Sequence, residues 1–259
     1  MLILVTNDDG INSPGIEVLA ESLAGLGRVV VAAPDRERSA VGHALTLHAP
    51  LRAEELRPDV YSIDGTPTDC VNLGIHGLLS AKPDLVVSGI NRGGNLGDDI
   101  TYSGTVAAAM EATLMGVPAF AVSLEGERFW AEDFSCAAAF SRSLAELVIN
   151  HGLPRDTFLN VNVPAGQPSG TCLTRQGKRR YSDLVIEKLD PRGRKYYWIG
   201  AGEVSFHDLP GTDFHAIHQG LISITPLHLD LTNDKSFAVL QQWAFDSLAL
   251  PPFPGCKPI

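Results

Sequence analysis

The stretch Leu2-Ile3-Leu4-Val5-Thr6-Asn7-Asp8-Asp9-Gly10, with Ser13-Pro14-Gly15 behind it, decides the fold of this chain. Leu2–Thr6 is apolar without alternation, the pattern of a short strand buried on both faces. Pro14 and Gly15 then open a helical pattern through Ile16, Leu19, Ala20, Leu23 and Leu26, and Pro14 suits a first turn because it lacks an N–H there. Strand, polar turn and helix make the first half of a βαβ unit.

The same alternation continues outward. Val29–Ala33 reads as a second buried strand, stopped by Pro34, and Val60–Ile63 as a third. A helix is expected from Asp69 to Leu79, a strand at Leu85–Ser88, and an alanine-rich helix from Ser103-Gly104-Thr105 to Met115, with Ser103 or Thr105 as its N-cap. Pro118–Ser123 and Phe158–Val163 read as strands, with a helix over Phe134–Ile149 between them. Such a chain builds an α/β fold, a Rossmann-like, mainly parallel sheet with helices on both faces. Beyond about residue 170 the character changes. Tyr181–Glu187 and Lys195–Gly200 flank Asp190-Pro191-Arg192-Gly193 and read as a hairpin. One more strand is expected at Leu221–Leu227, a short helix from Ser236 to about Leu248, and an extended tail from Pro251 to Ile259. The expected division is a metal- and phosphate-binding domain over 1–170 and a β-rich part over 171–259. The aromatic run Tyr196-Tyr197-Trp198 suits an oligomer interface.

Composition narrows the function. The chain has 259 residues, of which 44% are hydrophobic and 19% charged, which is ordinary globular usage. Its formal charge of -10 argues against duplex nucleic acid as a partner, since no broad cationic surface is in prospect. No apolar stretch is long enough to span a bilayer. The opening lacks a basic n-region, so it is not read as a signal peptide, and the expected address is the cytoplasm. The four cysteines, Cys70, Cys136, Cys172 and Cys256, form no CxxC and read as reduced thiols rather than a zinc site.

In open parallel sheets ligands bind outside the carboxyl ends of the strands. Asp8 and Asp9 fall there, and two adjacent carboxylates at a strand end repel one another unless a positive charge lies between them. A hard divalent cation, Mg2+ or Mn2+ first and Ca2+ after them, fits oxygen donors of this kind. The bland alternative is a solvated turn capping the Pro14 helix. Ser103-Gly104-Thr105 at a helix start offers open N–H groups and hydroxyls to a phosphate, and Gly93-Gly94-Asn95 upstream favours that reading over a simple cap. No GxxxxGK[ST], GxGxxG or GxSxG occurs. His43 stays open as a participant because it shares a loop with Ser39. Arg36 and Arg38 read either as structural ion-pair partners or as neighbours of a substrate phosphate.

Several segments together resemble one family. Leu4–Gly10, Ala33-Pro34-Asp35-Arg36-Glu37-Arg38-Ser39-Ala40, Asp64-Gly65-Thr66-Pro67-Thr68-Asp69-Cys70-Val71, Ser88-Gly89-Ile90-Asn91-Arg92-Gly93-Gly94-Asn95 and Tyr102–Ala109 look, in that order, like the signatures of the SurE survival-protein family. The resemblance implies a metal-dependent phosphatase acting on nucleoside 5′- and 3′-monophosphates, with activity on short polyphosphate. It also implies a homodimer or homotetramer that exchanges C-terminal elements. By the same resemblance the metal ligands are Asp8, Asp9, Ser39 and Asn91, and the phosphate contacts are Asn95, Ser103, Gly104 and Thr105. Asp8 and Asp9 are the candidate catalytic residues, either orienting a water or, for one of them, attacking phosphorus directly. Two rivals are weaker on the residues. A haloacid-dehalogenase phosphatase wants Asp-x-Asp, and a receiver-like module wants an Asp where this chain has Asn91; a nucleotide-binding protein without turnover stays open but leaves the acidic pair unexplained.

Overall fold

The computed structural model describes residues 1–180, 185–199, 205–243 and 245. In chain order the elements are β1 (Leu2–Thr6), α1 (Pro14–Leu23), β2 (Arg28–Pro34), β3 (Ala53–Arg57), β4 (Val60–Ile63), α2 (Pro67–Leu73), β5 (Leu85–Arg92), α3 (Gly104–Leu114), β6 (Ala119–Glu125), α4 (Ser135–His151) and β7 (Thr157–Pro164). There follow β8 (Gly170–Leu173), β9 (Arg179–Arg180), β10 (Val185–Leu189), β11 (Lys195–Ile199), β12 (Ser205–Phe206), α5 (Asp213–His218), β13 (Leu221–His228) and α6 (Asp234–Leu240).

One nine-stranded sheet organises these pieces, in the order β3-β4-β2-β1-β5-β6-β7-β13-β8. From β4 to β7 every neighbouring pair is parallel, while β3 and β13 join antiparallel to β4 and β7. The sheet is therefore the expected α/β type. The strands are apolar on both faces because both faces are covered. On β1, Ile3 and Val5 pack among α1 and α4, and Leu4 packs on the other side among α2 and α3. All three are 0% exposed. Residues 107–109 and Ala112 of α3 are small enough to let that helix lie close on β5 and β6.

The expected boundaries shift where local chemistry intervenes. α2 begins at Pro67 rather than Asp69, because Thr66 and Asp69 close a reciprocal cap, with the Asp69 N–H donating to Thr66 Oγ1 and the Thr66 N–H to Asp69 Oδ2. β5 runs on past Ser88 to Arg92, which carries Asn91 on the strand itself. The hairpin forms as β10 and β11 in antiparallel register, and the Asp190 carboxylate accepts from the Arg192 and Arg194 N–H groups in its turn. Tyr181–Leu184 and Gly200 of those two runs lie outside the described residues. A second unit begins at Asp230. Its described part is α6 and the turn Gln241–Trp243, whereas the expected continuation to Leu248 and the tail from Pro251 lie outside the described residues.

Candidate active site

β1 has β2 on one side and β5 on the other, so the chain changes direction across the sheet at β1/β5. That crevice is where a doubly wound sheet binds its ligand. Asn7 shapes the turn leaving β1. It is 0% exposed, donates through Nδ2 to the Gly10 carbonyl at 3.0 Å and to Ser13 Oγ at 2.8 Å, and accepts from the Gly10 N–H at 3.2 Å. Gly10 sits at φ +97°, and a Cβ there would come within 2.9 Å of the Arg36 carbonyl carbon, so only glycine lets the β2 loop close on this turn. The loop is then tied in place. Ile11 N–H donates to the Pro34 carbonyl at 2.8 Å and Arg38 N–H to the Asp8 carbonyl at 2.7 Å.

Asp8 points away from this loop toward α3. Its Oδ1 accepts from Thr105 Oγ1 at 2.5 Å, and a Cβ on Gly104 would stand 2.8 Å from the Asp8 Cβ. The helix N-terminus and the carboxylate therefore share one small space. Ser103 caps α3 through its hydroxyl, which accepts from the Val106 N–H at 3.0 Å. Asp9 turns toward β5, where its Oδ2 accepts from the Arg92 N–H and its Oδ1 from Arg92 Nε, both at 3.0 Å. Arg92 also reaches Glu37 at 3.5 Å, and Ser39 Oγ donates to the same carboxylate at 2.7 Å. Asn91 donates through Nδ2 to the Gly93 carbonyl at 2.7 Å, which leaves its Oδ1 as an acceptor.

The electrostatics of the pair follow from burial. Asp8 is raised from 3.8 to about 6, chiefly by loss of water, then by the charge of Asp9, while the Thr105 hydroxyl pulls it down. Burial also raises Asp9, and Arg92 opposes it. Two desolvated carboxylates, with one guanidinium on Asp9 that is shared with Glu37 and none on Asp8, lack a full positive counter-charge. Among the described residues no three His, Cys, Asp or Glu side chains gather as a metal site. The available set is two carboxylates, one hydroxyl and one amide, all hard oxygen donors, and it fits magnesium or manganese better than zinc.

The remaining expected residues are placed as follows. Asn95 is nine-tenths buried, with its Nδ2 donating to Ser123 Oγ at 2.7 Å and its carbonyl accepting from Asn160 and Asn162 at 2.8 and 3.0 Å. His43 lies across α3, its Nε2 2.7 Å from Glu111 Oε2, while Gly42 N–H donates to the Tyr102 carbonyl at 3.1 Å. The loop carrying Ser39 and His43 is thereby laid over the start of α3. Arg36 and Arg38 both pair with Asp35, at 3.8 and 3.4 Å, so the ion-pair reading holds for them. Asn7, Arg92, Glu37, Asn160 and Asn162 take part although nothing in the reading of the motifs singled out their partners.

A doubly wound sheet with one carboxylate of an acidic pair against a helix N-terminus at its switch point defines an α/β protein of the class whose ligands bind at that crevice. Residues 3–183 match the model of the family described as survival protein SurE. A relative from Syntrophotalea carbinolica named 5′-nucleotidase SurE is 71% identical over 244 residues, covering 94% of this chain and 98% of the relative. Another of that name, from Geobacter sulfurreducens, is 63% identical with 94% of each chain covered. The crystal structure of a SurE protein from Aquifex aeolicus superposes with a TM-score of 0.84 at 48% identity, covering 94% of this chain and 99% of that one. The chain belongs to the SurE family.

Proposed function

We propose that this chain is a 5′-nucleotidase that hydrolyses nucleoside 5′-monophosphates to nucleoside and phosphate with the help of a divalent cation. The observation that carries the reading is the contact of the α3 N-terminus with Asp8, which sets open N–H groups and a desolvated carboxylate around one position. The name carried by the relatives from Syntrophotalea and Geobacter supports it. Asp8, Asp9, Ser39 and Asn91 would hold Mg2+ or Mn2+, which when bound neutralises charge on the phosphoryl oxygens. The N–H groups of residues 104–105 and the amide of Asn95 fix the phosphate at the positive end of the helix dipole. Asp9 is tied down by Arg92, whereas Asp8 meets only the Thr105 hydroxyl among side-chain donors, so Asp8 is the carboxylate placed to orient the attacking water. Arg92, beside Asp9, lowers the cost of gathering negative charge at this edge.

The reading extends to nucleoside 3′-monophosphates and short polyphosphate, to a cytoplasmic setting, and to a homodimer or homotetramer. Exposed Tyr197, Trp198 and Ile199 on β11 support the oligomer. Among the described residues no helix is long and apolar enough to cross a membrane.

The deciding experiment is phosphate release from a panel of nucleoside monophosphates, with Mg2+, Mn2+ or chelator, for the wild type and Asp8→Asn. Metal-dependent release that collapses in Asp8→Asn is expected. No release under any metal would leave a nucleotide-binding module without turnover. Single-turnover hydrolysis in heavy-oxygen water separates the routes: label appearing first in an Asp8 or Asp9 carboxylate would replace the attacking water with a carboxylate nucleophile.

A further inference from the structure

Asp213 is a buried carboxylate that the reaction as proposed does not use. It opens α5 behind the cap residue Thr212 and is 0% exposed. Its Oδ2 accepts from the Gly97 N–H, and its Oδ1 from the Gly177 and Phe214 N–H groups, all at 2.8 Å. Burial lifts this carboxyl above the ordinary aspartate range, and the three N–H groups oppose that lift. The joint leaves no spare space. Gly97 sits at φ +53°, and a Cβ on it would come within 2.5 Å of Phe214 Cε2, while a Cβ on Gly177 would come within 2.6 Å of Asp213 Oδ1. Three neighbours reinforce the same segment: Gln176 donates to the Gly97 carbonyl at 3.1 Å, Lys178 pairs with Asp98 at 2.8 Å, and Arg179 with Asp99 at 2.6 Å.

What this joint holds is the connection from β5 to α3. Asn95, two residues before Gly97, is clamped by Asn160 and Asn162. The turn Gly97–Thr101 runs straight on to Ser103, the cap of α3. One end of the anion loop is therefore fixed by amides from β7 and its middle by a carboxylate from α5.

We propose that Asp213 is a positioning residue for phosphate binding, which through Gly97 fixes Asn95 and the open N–H groups of residues 104–105 in one geometry. The inference rests on the reading of that helix end as the phosphate site. It acts through the loop and touches no substrate. A carboxylate suits the task because both of its oxygens accept, so backbone N–H groups from three segments can converge on one side chain. A displacement of about 1 Å at a substrate-positioning group costs about a hundredfold in rate, so a loop set loosely behind the site would be felt in it.

The test is Asp213→Asn, nearly the same in shape, which keeps one acceptor oxygen and sets an N–H against an N–H at the other. Hydrogen exchange of the intact protein is followed across residues 95–103, with and without inorganic phosphate, beside steady-state kinetics. The expected result is exchange at least about tenfold faster in that segment, with β1 and β2 unchanged. The KM for nucleoside monophosphate and the inhibition constant for inorganic phosphate should both rise about tenfold, more than kcat falls. A purely architectural role would lower stability and leave those two constants in place. Gln176→Ala, which removes one contact and leaves α5 intact, should move the same constants less and in the same direction, and carries the test if Asp213→Asn does not fold. Unchanged exchange across 95–103 in a folded Asp213→Asn protein would overturn the proposal. A wild type that releases no phosphate would refute the nucleotidase reading, while the exchange measurement still decides whether Asp213 holds the loop.

Discussion

Replacing Asp8 with asparagine should make the metal-free protein more stable at neutral pH while abolishing its activity. Asp8 is 5% exposed and its carboxyl lies at about 6, against 3.8 unperturbed. The folded state thus binds the proton more tightly than the unfolded chain, and ionising Asp8 works against folding. The contribution of the protonated form is fully present below about pH 3.8, is lost as pH rises toward 6, and is flat above. A shift of about two units corresponds to about 3 kcal/mol. Relaxation and water entry in the variant reduce this, so about 1–3 kcal/mol is expected at pH 8. In a chain of this length that is a rise in Tm of roughly 2–6 °C. The Thr105 hydroxyl keeps an acceptor in the amide oxygen of the new asparagine, while the new NH2 group stands against N–H donors, which offsets part of the gain. Thermal unfolding in chelator, for wild type and Asp8→Asn at pH 4.5 and pH 8, reads the effect directly. The difference between the two proteins should be small at the lower pH and large at the higher. A variant that is destabilised equally at both would refute the claim that an uncompensated buried charge resides on Asp8.

Gly104→Ala should cut kcat/KM by about a hundredfold, because the new Cβ stands 2.8 Å from the Asp8 Cβ and 3.1 Å from Pro67 Cγ and must push the carboxylate off its position. The accompanying stability loss, of about 1–3 kcal/mol from overpacking, should appear in thermal melts. His43→Ala should unfasten the Ser39 loop from α3 and lower stability by about 1 kcal/mol, and limited proteolysis within residues 39–50 should become faster. Intact cleavage resistance there would mean that the Thr46 and Thr66 contacts to Asp69 and Ala44 hold the loop without the imidazole.

What the sequence disclosed was set by how local each signal is. β1, β2 and β5 are legible because burial on both faces demands unbroken apolar runs, and the start of α3 because a serine cap acts within three residues. β3 escapes the reading for the opposite reason: Ala-Glu-Glu-Leu-Arg at a sheet edge, exposed throughout, carries neither alternation nor burial. α5 is only six residues long and gives no period to read. The division falls the same way in the site. Asp8, Asp9 and Asn91 could be named because the sheet alone delivers strand ends to one edge, whatever the rest of the chain does. The groups that hold them could not, since their partners are distant. Asn95 meets Asn162 67 residues on, and Gly97 meets Asp213 116 residues on. One of these did leave a trace. Phe158-Leu159-Asn160-Val161-Asn162-Val163 places two amides on the same face of a buried strand, and both are 0% exposed. Buried side-chain amides require partners with unmet hydrogen bonds, and an irregular glycine-rich backbone such as Gly93-Gly94-Asn95 is where such partners are found. A period-two pair of asparagines in an apolar strand is therefore a sequence signal for a loop that the strand must hold still, and here the loop it holds is the one that leads into the anion site.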